Sequence, residues 1–87
     1  MEARLRDKLR NPHGRTVGFR QTLKALQAGR VQALFLAGDA PEEMRDEALR
    51  EAAEAGVPVE GVPTMRELGR LCAIQVPAAL AAVLKGP

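Results

Sequence analysis

The feature that most constrains the fold is the run Val31–Ala37, in which six of seven residues are apolar. It stands between Gly29-Arg30 and Gly38-Asp39, pairs that favour turns. Seven residues is the length of a β-strand, and apolar side chains on both faces are typical of a central strand that helices cover on both sides. The run therefore predicts the central strand of a layered α/β protein.

Helical and extended segments alternate around this strand. Apolar spacing, Gly and Pro breakers and candidate helix caps divide the chain. The predicted elements are a helix over residues 2–10, a turn over 11–14, a short strand over 15–17, a helix over 18–28, the central strand over 31–37, a helix over 42–55, a strand over 57–62, a short helix from residue 64, and a last strand over 78–84. The order αβαβαβαβ predicts a small α/β sandwich.

Two of the helix starts carry the pattern of a capping box. Asp39 with Glu42 fits the start of the 42–55 helix, with Pro41 in its first turn, and Thr64 with Glu67 fits the start of the next helix. The buried stripe of the 42–55 helix is expected to contain Met44, Ala48, Leu49, Ala52 and Ala55.

The last apolar run, residues 78–84, gives conflicting signals. Its alanines favour a helix by intrinsic propensity. The alternation of helices and strands upstream favours a strand, and we predict a strand.

Composition bounds the class of protein. The chain has 87 residues, 46% hydrophobic and 28% charged, as expected for a single globular domain. Cys72 has no second cysteine to pair with, no segment approaches the roughly 20 apolar residues of a membrane span, and the first residues lack the apolar core of a signal peptide. We therefore expect a cytoplasmic protein without a membrane partner. His13 lies alone in the predicted turn, so neither a metal nor a cofactor is expected.

Charge is distributed unevenly along the chain. Residues 1–30 contain eight basic residues (Lys and Arg) and two acidic residues (Asp and Glu), whereas residues 31–63 contain two basic and eight acidic residues. This asymmetry predicts a positive side that suits a polyanion. Phe19 and Phe35 are the only aromatic residues, which argues against a protein that stacks single-stranded bases on aromatic rings.

The helix that opens at Gly18 has two distinct faces. Phe19, Leu23 and Leu26 form a narrow apolar stripe, whereas Arg20, Lys24 and Gln27 lie opposite, with Gln21 at the edge of that side. The N-terminal amides of a helix have no intrahelical partners and are partly positive. The polar side is therefore a candidate reader of phosphates and base edges, and the alternative is an ordinary solvated face.

The motifs, in this order, resemble those of the ribosomal protein L7Ae/L30e family, small proteins that bind kink-turn RNA, and especially its short bacterial branch. The family motif G-x-[N/K]-[E/Q]-x-x-K matches Gly18 to Lys24, and a small-x-Asp-x-x-Pro step matches residues 37–41 with the proline one residue early. A Gly-hydrophobe-Pro strand entry matches residues 56–58, and [S/T]-x-x-x-L-G-x-x-C matches residues 64–72. The resemblance covers residues 15–84.

The resemblance implies a three-layer α/β/α sandwich with a four-stranded mixed sheet. It implies one kink-turn RNA-binding domain over residues 1–87, in which residues 1–14, outside the resemblance, form the predicted N-terminal helix and turn. Its helix at Gly18 would enter the major groove beside tandem sheared G·A pairs, and the loop around residue 75 would cover extruded bases. The residues expected to bind RNA are Arg15, Gly18, Arg20, Gln21, Lys24, Asp39, Ile74, Gln75 and Val76.

By the same resemblance, the expected partner is a structured RNA that contains a kink turn, for example ribosomal RNA or an mRNA leader. A monomer is expected because nothing in the sequence demands a larger assembly. Arg15 is expected to contact phosphate. Most archaeal and eukaryotic members have Asn and Glu at the positions of Arg20 and Gln21, and the family usually has glycine at the position of Ala73. These departures predict a changed preference among bulge sequences and a stiffer loop.

The sequence also allows two other hypotheses to be considered. The acidic helix over residues 42–54 could make the chain a protein-interaction module on the same fold. A substrate-binding domain of the kind attached to ribose methyltransferases would need a catalytic domain in the same chain, for which 87 residues leave no room. No catalytic motif is present, so an enzyme is not expected.

Overall fold

The computed structural model describes residues 3–86 and confirms the predicted order of elements. Met1, Glu2 and Pro87 lie outside the described residues. The predicted start of the first helix, at Glu2, therefore also lies outside them. The elements are α1 (Ala3–Lys8), β1 (Arg15–Val17), α2 (Phe19–Gln27), β2 (Val31–Ala37), α3 (Glu42–Ala55), β3 (Val59–Val62), α4 (Met65–Leu71) and β4 (Leu80–Leu84).

The four strands form one mixed sheet in the order β1-β4-β2-β3. β4 is antiparallel to both of its neighbours, and β2 is parallel to β3. In the register of the sheet, Leu34 of β2 faces Ala82 on one side and Val59 on the other. The apolar run Val31–Ala37 is therefore an interior strand, as its composition predicts.

Helices cover both faces of the sheet. The core on one face joins α1 and α4 to the sheet through Leu9, Phe35, Leu68 and Cys72. The core on the other face joins α2 and α3 to the sheet; its members include Leu23, Leu26, Leu34, Ala48, Ala52 and Leu80. This arrangement confirms the three-layer α/β/α sandwich with a four-stranded mixed sheet.

The ambiguous last run is a strand, as predicted. Leu80 to Val83 are buried, and β4 pairs with β1 on one side and β2 on the other. Ladder hydrogen bonds on both edges together with burial on both faces override the helical preference of Ala81 and Ala82.

The predicted capping role of Asp39 is wrong. The N-cap of α3 is Pro41, and no side chain caps this helix. Asp39 Oδ1 instead accepts a hydrogen bond from the Met65 amide at 2.7 Å, at the start of α4. The predicted N-cap of α4 is confirmed, because Thr64 Oγ1 accepts a hydrogen bond from the Glu67 amide at 3.0 Å. Asp39 therefore caps a helix 26 residues away rather than the one that follows it.

The predicted buried stripe of α3 is too wide. Ala48 and Ala52 are buried, whereas Met44 is half-buried and Ala55 is exposed. Leu49 is 46% exposed. Since Leu49 follows Ala48 by 100° around the helix, it is turned out of a stripe that is only as wide as two alanines.

Candidate nucleic-acid interface

α2 begins at the end of the sheet where β1 stops and β4 starts. Gly18 is its N-cap, with φ 99° and ψ 159°. The Gly18 amide donates to the carbonyl oxygen of Leu80 at 2.9 Å, which fixes the start of α2 against β4. A Cβ at this position would meet no atom within 4 Å, so backbone conformation rather than lack of space requires glycine. The surface around this helix start is open to a partner.

The first turns of α2 separate a buried side from a polar side, as the sequence predicts. Thr22, Leu23, Ala25 and Leu26 are buried. Arg20, Gln21 and Lys24 are exposed, and among residues 3–86 their side chains form no hydrogen bond or ion pair. No side chain caps this helix end, so its first amides also point outward. The helix start therefore offers two cations, a carboxamide and free amide donors.

Gln27 does not belong to this free polar set. Its Nε2 donates to Glu51 Oε1 at 3.2 Å, which links the last turn of α2 to α3. The usable polar surface of α2 is thus confined to its first two turns.

The loop between α4 and β4 begins with a Schellman motif. The Ala73 amide donates to the Arg70 carbonyl at 2.9 Å, and the Ile74 amide donates to the Gly69 carbonyl at 3.1 Å. Ala73 has φ 58° and is the one non-glycine residue with positive φ among the described residues. Gly29 and Gly56 adopt the same left-handed conformation after α2 and α3. At the end of α4, an alanine therefore occupies a backbone conformation that favours glycine.

From Ala73 the loop runs back along α4. A Cβ built on Gly69 would overlap the Val76 carbonyl oxygen, and it would lie 3.1 Å from the Val76 carbonyl carbon. The Ala78 amide donates to the Met65 carbonyl at 3.0 Å. Gln75 is exposed, Val76 is 62% exposed and Ile74 is half-buried. The close approach at Gly69 thus sets the position of an exposed amide and an exposed apolar side chain.

Two arginines that were not among the predicted site residues lie beside this loop. Arg66 and Arg70, four residues apart on α4, line a surface depression of about 300 Å³ together with residues 74–77. The signal that could have identified them is their spacing, which places both on one side of the helix that precedes the loop. The depression combines guanidinium groups with the Val76 side chain.

Arg15 lies apart from the start of α2 and is bonded within the protein. Its Nε donates to the Leu9 carbonyl at 3.0 Å, and its Nη2 donates to the Cys72 carbonyl at 3.2 Å. Arg15 is paired with Val83, near the end of β4 away from Gly18. The half-buried guanidinium therefore joins the ends of α1 and α4, and its contact with phosphate stays a prediction.

The charge of Arg15 also acts on the neighbouring thiol. Burial raises the pKa of Cys72, and the positive charge of Arg15 offsets part of that increase. Cys72 is a buried core residue with no disulfide. It packs the fold and is not a reactive group.

The structure brings most of the predicted residues to one end of the sheet. Gly18 touches the first residue of β4, and the loop that contains Gln75 leads into that same strand. Asp39 lies at this end too, because β2 and α4 meet there, and its carboxylate holds the α4 start. Residues 3–86 contain no group of three His, Cys, Asp or Glu that could hold a metal ion. None of the helices in this range has the length and hydropathy of a membrane-spanning segment.

Comparisons with known proteins agree with this architecture. An RNA-binding protein of Geobacillus sp. strain WCH70 is 41% identical over 73 residues, which is 83% of this chain and 89% of the relative. One from Caldanaerobacter subterraneus is 40% identical over 75 residues, or 86% and 92% of the two chains. The solved structure of the Giardia lamblia 15.5kD RNA binding protein superposes with a TM-score of 0.85 at 25% identity, over 94% of this chain and 69% of that one.

The sequence profile of one protein family spans nearly the whole chain. It matches residues 2–86, including both α2 and the α4–β4 loop. The chain belongs to the ribosomal protein L7Ae/L30e/S12e/Gadd45 family.

Proposed function

We propose that this protein binds structured RNA through the start of α2 and the α4–β4 loop, and that the RNA is a kink turn with tandem sheared G·A pairs. The observation that carries the proposal is the exposed, unpaired set Arg20, Gln21 and Lys24 at a helix start that adjoins this loop. Relatives named as RNA-binding proteins support the choice of RNA.

The groups on α2 suit guanine edges and phosphates. Arg20 can donate two parallel hydrogen bonds to the O6 and N7 atoms of guanine. Lys24 supplies a mobile point charge for a phosphate or a base acceptor. Gln21 has both a donor and an acceptor, so it can bond to either partner of a sheared pair. The first amides of α2 favour an anion at the same place.

The α4–β4 loop suits bases that leave the helix at the bulge. The exposed Val76 side chain offers an apolar surface for a base face, and the neighbouring Gln75 offers hydrogen bonds to a base edge. Arg66 and Arg70 at the adjoining depression place positive charge where the phosphates of an extruded nucleotide would lie. Shape, phosphates and a few base edges thus replace the aromatic stacking that this chain lacks.

Three base contacts of about 1–3 kcal/mol each are enough to separate a cognate RNA from a non-cognate one. The phosphate contacts add affinity for any RNA and make it depend on salt. Asp39 acts in this scheme by holding the α4 start, and therefore the loop, rather than by touching RNA.

The test is a calorimetric titration of a short kink-turn RNA at physiological salt. The control RNA is the same duplex with its G·A pairs changed to Watson–Crick pairs. Binding to the first RNA and its loss in the second are the expected outcome. Equal, salt-sensitive binding to both RNAs would reduce the function to a basic surface.

A second candidate is a protein-interaction surface on α3. Leu49 is 46% exposed on a helix whose other outward residues are mostly acidic. An absence of binding to either RNA, together with capture of a basic protein partner that Leu49→Ser abolishes, would favour this candidate.

A further inference from the structure

A second basic site lies at the end of the sheet opposite to the α2 start. It is a cavity of about 420 Å³, here named the distal basic cavity. Its lining comes from four separate parts of the chain: the end of α1, the turn before β1, the turn before β2, and the end of β4. Its polar lining residues are Lys8, Asn11, His13, Arg30 and Lys85.

Backbone hydrogen bonds hold these segments together. The Lys85 amide donates to the Arg30 carbonyl at 2.8 Å, and the Leu84 amide donates to the Gly14 carbonyl at 3.0 Å. The Gly14 amide donates to the Asn11 carbonyl at 3.1 Å. The cavity is therefore formed by fixed backbone, and the cationic side chains around it do not rest on a mobile loop.

The cavity is positive and its cations are free. Lys8, Arg30 and Lys85 are exposed, and their side chains form no ion pair or hydrogen bond within residues 3–86. The lining residues, all of which lie in this described range, include no Asp or Glu. Three unpaired cations with no opposing carboxylate favour a ligand with several negative charges.

The remaining groups favour phosphates over bases or nucleotides. The lining contains no Phe, Tyr or Trp on which a base could stack. Asn11 is the one side-chain amide in it, and its Oδ1 already accepts from the His13 backbone amide at 3.0 Å. Three of the five polar lining residues are cations, a composition typical of contacts to a nucleic-acid backbone.

The two basic sites are too far apart to share one phosphate group. Leu80 touches the α2 start, whereas Lys85 lies five residues further along the same strand direction, so the sites are about 17 Å apart at about 3.4 Å per residue. We propose that the distal basic cavity binds the phosphate backbone of a second RNA duplex, so that the protein bridges two RNA segments. The bridging role rests on the proposed function, whereas the duplex contact does not.

The test compares two double variants with equal charge loss. Arg30→Gln/Lys85→Gln removes two cations from the cavity, and Arg4→Gln/Arg50→Gln removes two exposed cations elsewhere. Each protein is first saturated with a short kink-turn RNA and then titrated with a labelled RNA duplex that has no G·A pairs. The same duplex is also titrated into each protein alone, and thermal melts establish that all variants fold.

The wild type and Arg4→Gln/Arg50→Gln should form the ternary complex. Arg30→Gln/Lys85→Gln should bind the short kink turn normally but bind the duplex with a salt slope about two units shallower. Between about 50 and about 200 mM salt that slope difference corresponds to about a tenfold difference in the loss of duplex affinity. Arg30→Lys/Lys85→Arg retains both charges and should restore binding.

Equal duplex binding by the two double variants would overturn the proposal. So would wild-type complexes that capture a polyglutamate peptide but no duplex, because the partner would then be an acidic protein. If no protein binds the short kink turn, the proposed function fails by itself. A duplex affinity that still depends on Arg30 and Lys85 would in that case support the cavity.

Discussion

The conformation of Ala73 predicts that replacing it with glycine stabilises the protein, although glycine usually destabilises a folded protein. Ala73 has φ 58° at the end of α4. A left-handed conformation costs a non-glycine residue about 1–2 kcal/mol. Ala73→Gly removes this cost, and the greater freedom of glycine in the unfolded chain cancels about 0.4–1 kcal/mol of the gain. The expected net stabilisation is about 0.5–1 kcal/mol.

Ala28 provides a matched control for this substitution. It also ends a helix and is exposed, but it has φ −83° and ψ 0°, which is right-handed. Ala28→Gly gains nothing from left-handed freedom, so it should destabilise the protein by about 0.5–1 kcal/mol. Each variant lacks one methyl group of the wild-type protein, and their effects on stability should have opposite signs.

Thermal unfolding measures the contrast directly. For a domain of this size, 1 kcal/mol changes Tm by about 4–8 °C. Ala73→Gly should therefore raise Tm by about 2–8 °C, and Ala28→Gly should lower it by a similar amount. A decrease in Tm for Ala73→Gly would refute the reasoning, since it would mean that the backbone at residue 73 is not held in the left-handed region.

The other predictions concern single side chains. Gly69→Ala would push a methyl group into the Val76 carbonyl, so urea titration should show that the free energy of unfolding falls by about 1–3 kcal/mol. Calorimetry should also show weaker kink-turn binding. Wild-type values for both would mean that the loop adjusts to the methyl group without cost. Lys24→Ala should weaken kink-turn binding by about 1–3 kcal/mol with no change in Tm, and an unchanged affinity would remove Lys24 from the interface. Arg15→Ala should lower the free energy of unfolding by about 1–3 kcal/mol, because two backbone carbonyls lose their donor; a wild-type melt would contradict this. Because burial raises the pKa of Cys72, its thiol should resist disulfide reagents until the protein unfolds. The stability linked to the buried neutral thiol should decline as pH rises through its folded pKa. Fast labelling of the folded protein would be the contrary result.

The layered plan of this protein follows from its amino-acid sequence. The apolar run Val31–Ala37 required cover on both faces, and the alternation of helices and strands around it allowed few other arrangements. The split of α2 into a buried and a polar side was also readable, because both faces follow from a period of 3.6 residues. Gly29 and Gly56 marked two helix ends correctly, since left-handed caps are a local property of the chain.

Tertiary structure alone decided what the polar groups bind. Asp39 looked like the cap of the next helix, yet it caps α4 because the ends of β2 and β3 meet beside it. Arg15 looked free, yet it donates to carbonyls that lie 6 and 57 residues away in the chain. The charge asymmetry predicted a positive side, but it could not locate the distal basic cavity, since the lining comes from segments as far apart as Lys8 and Lys85. Local periodicity reveals which side chains face a core, but the partners of a polar group depend on contacts between distant segments, which form only when the sheet and its two helical layers are assembled.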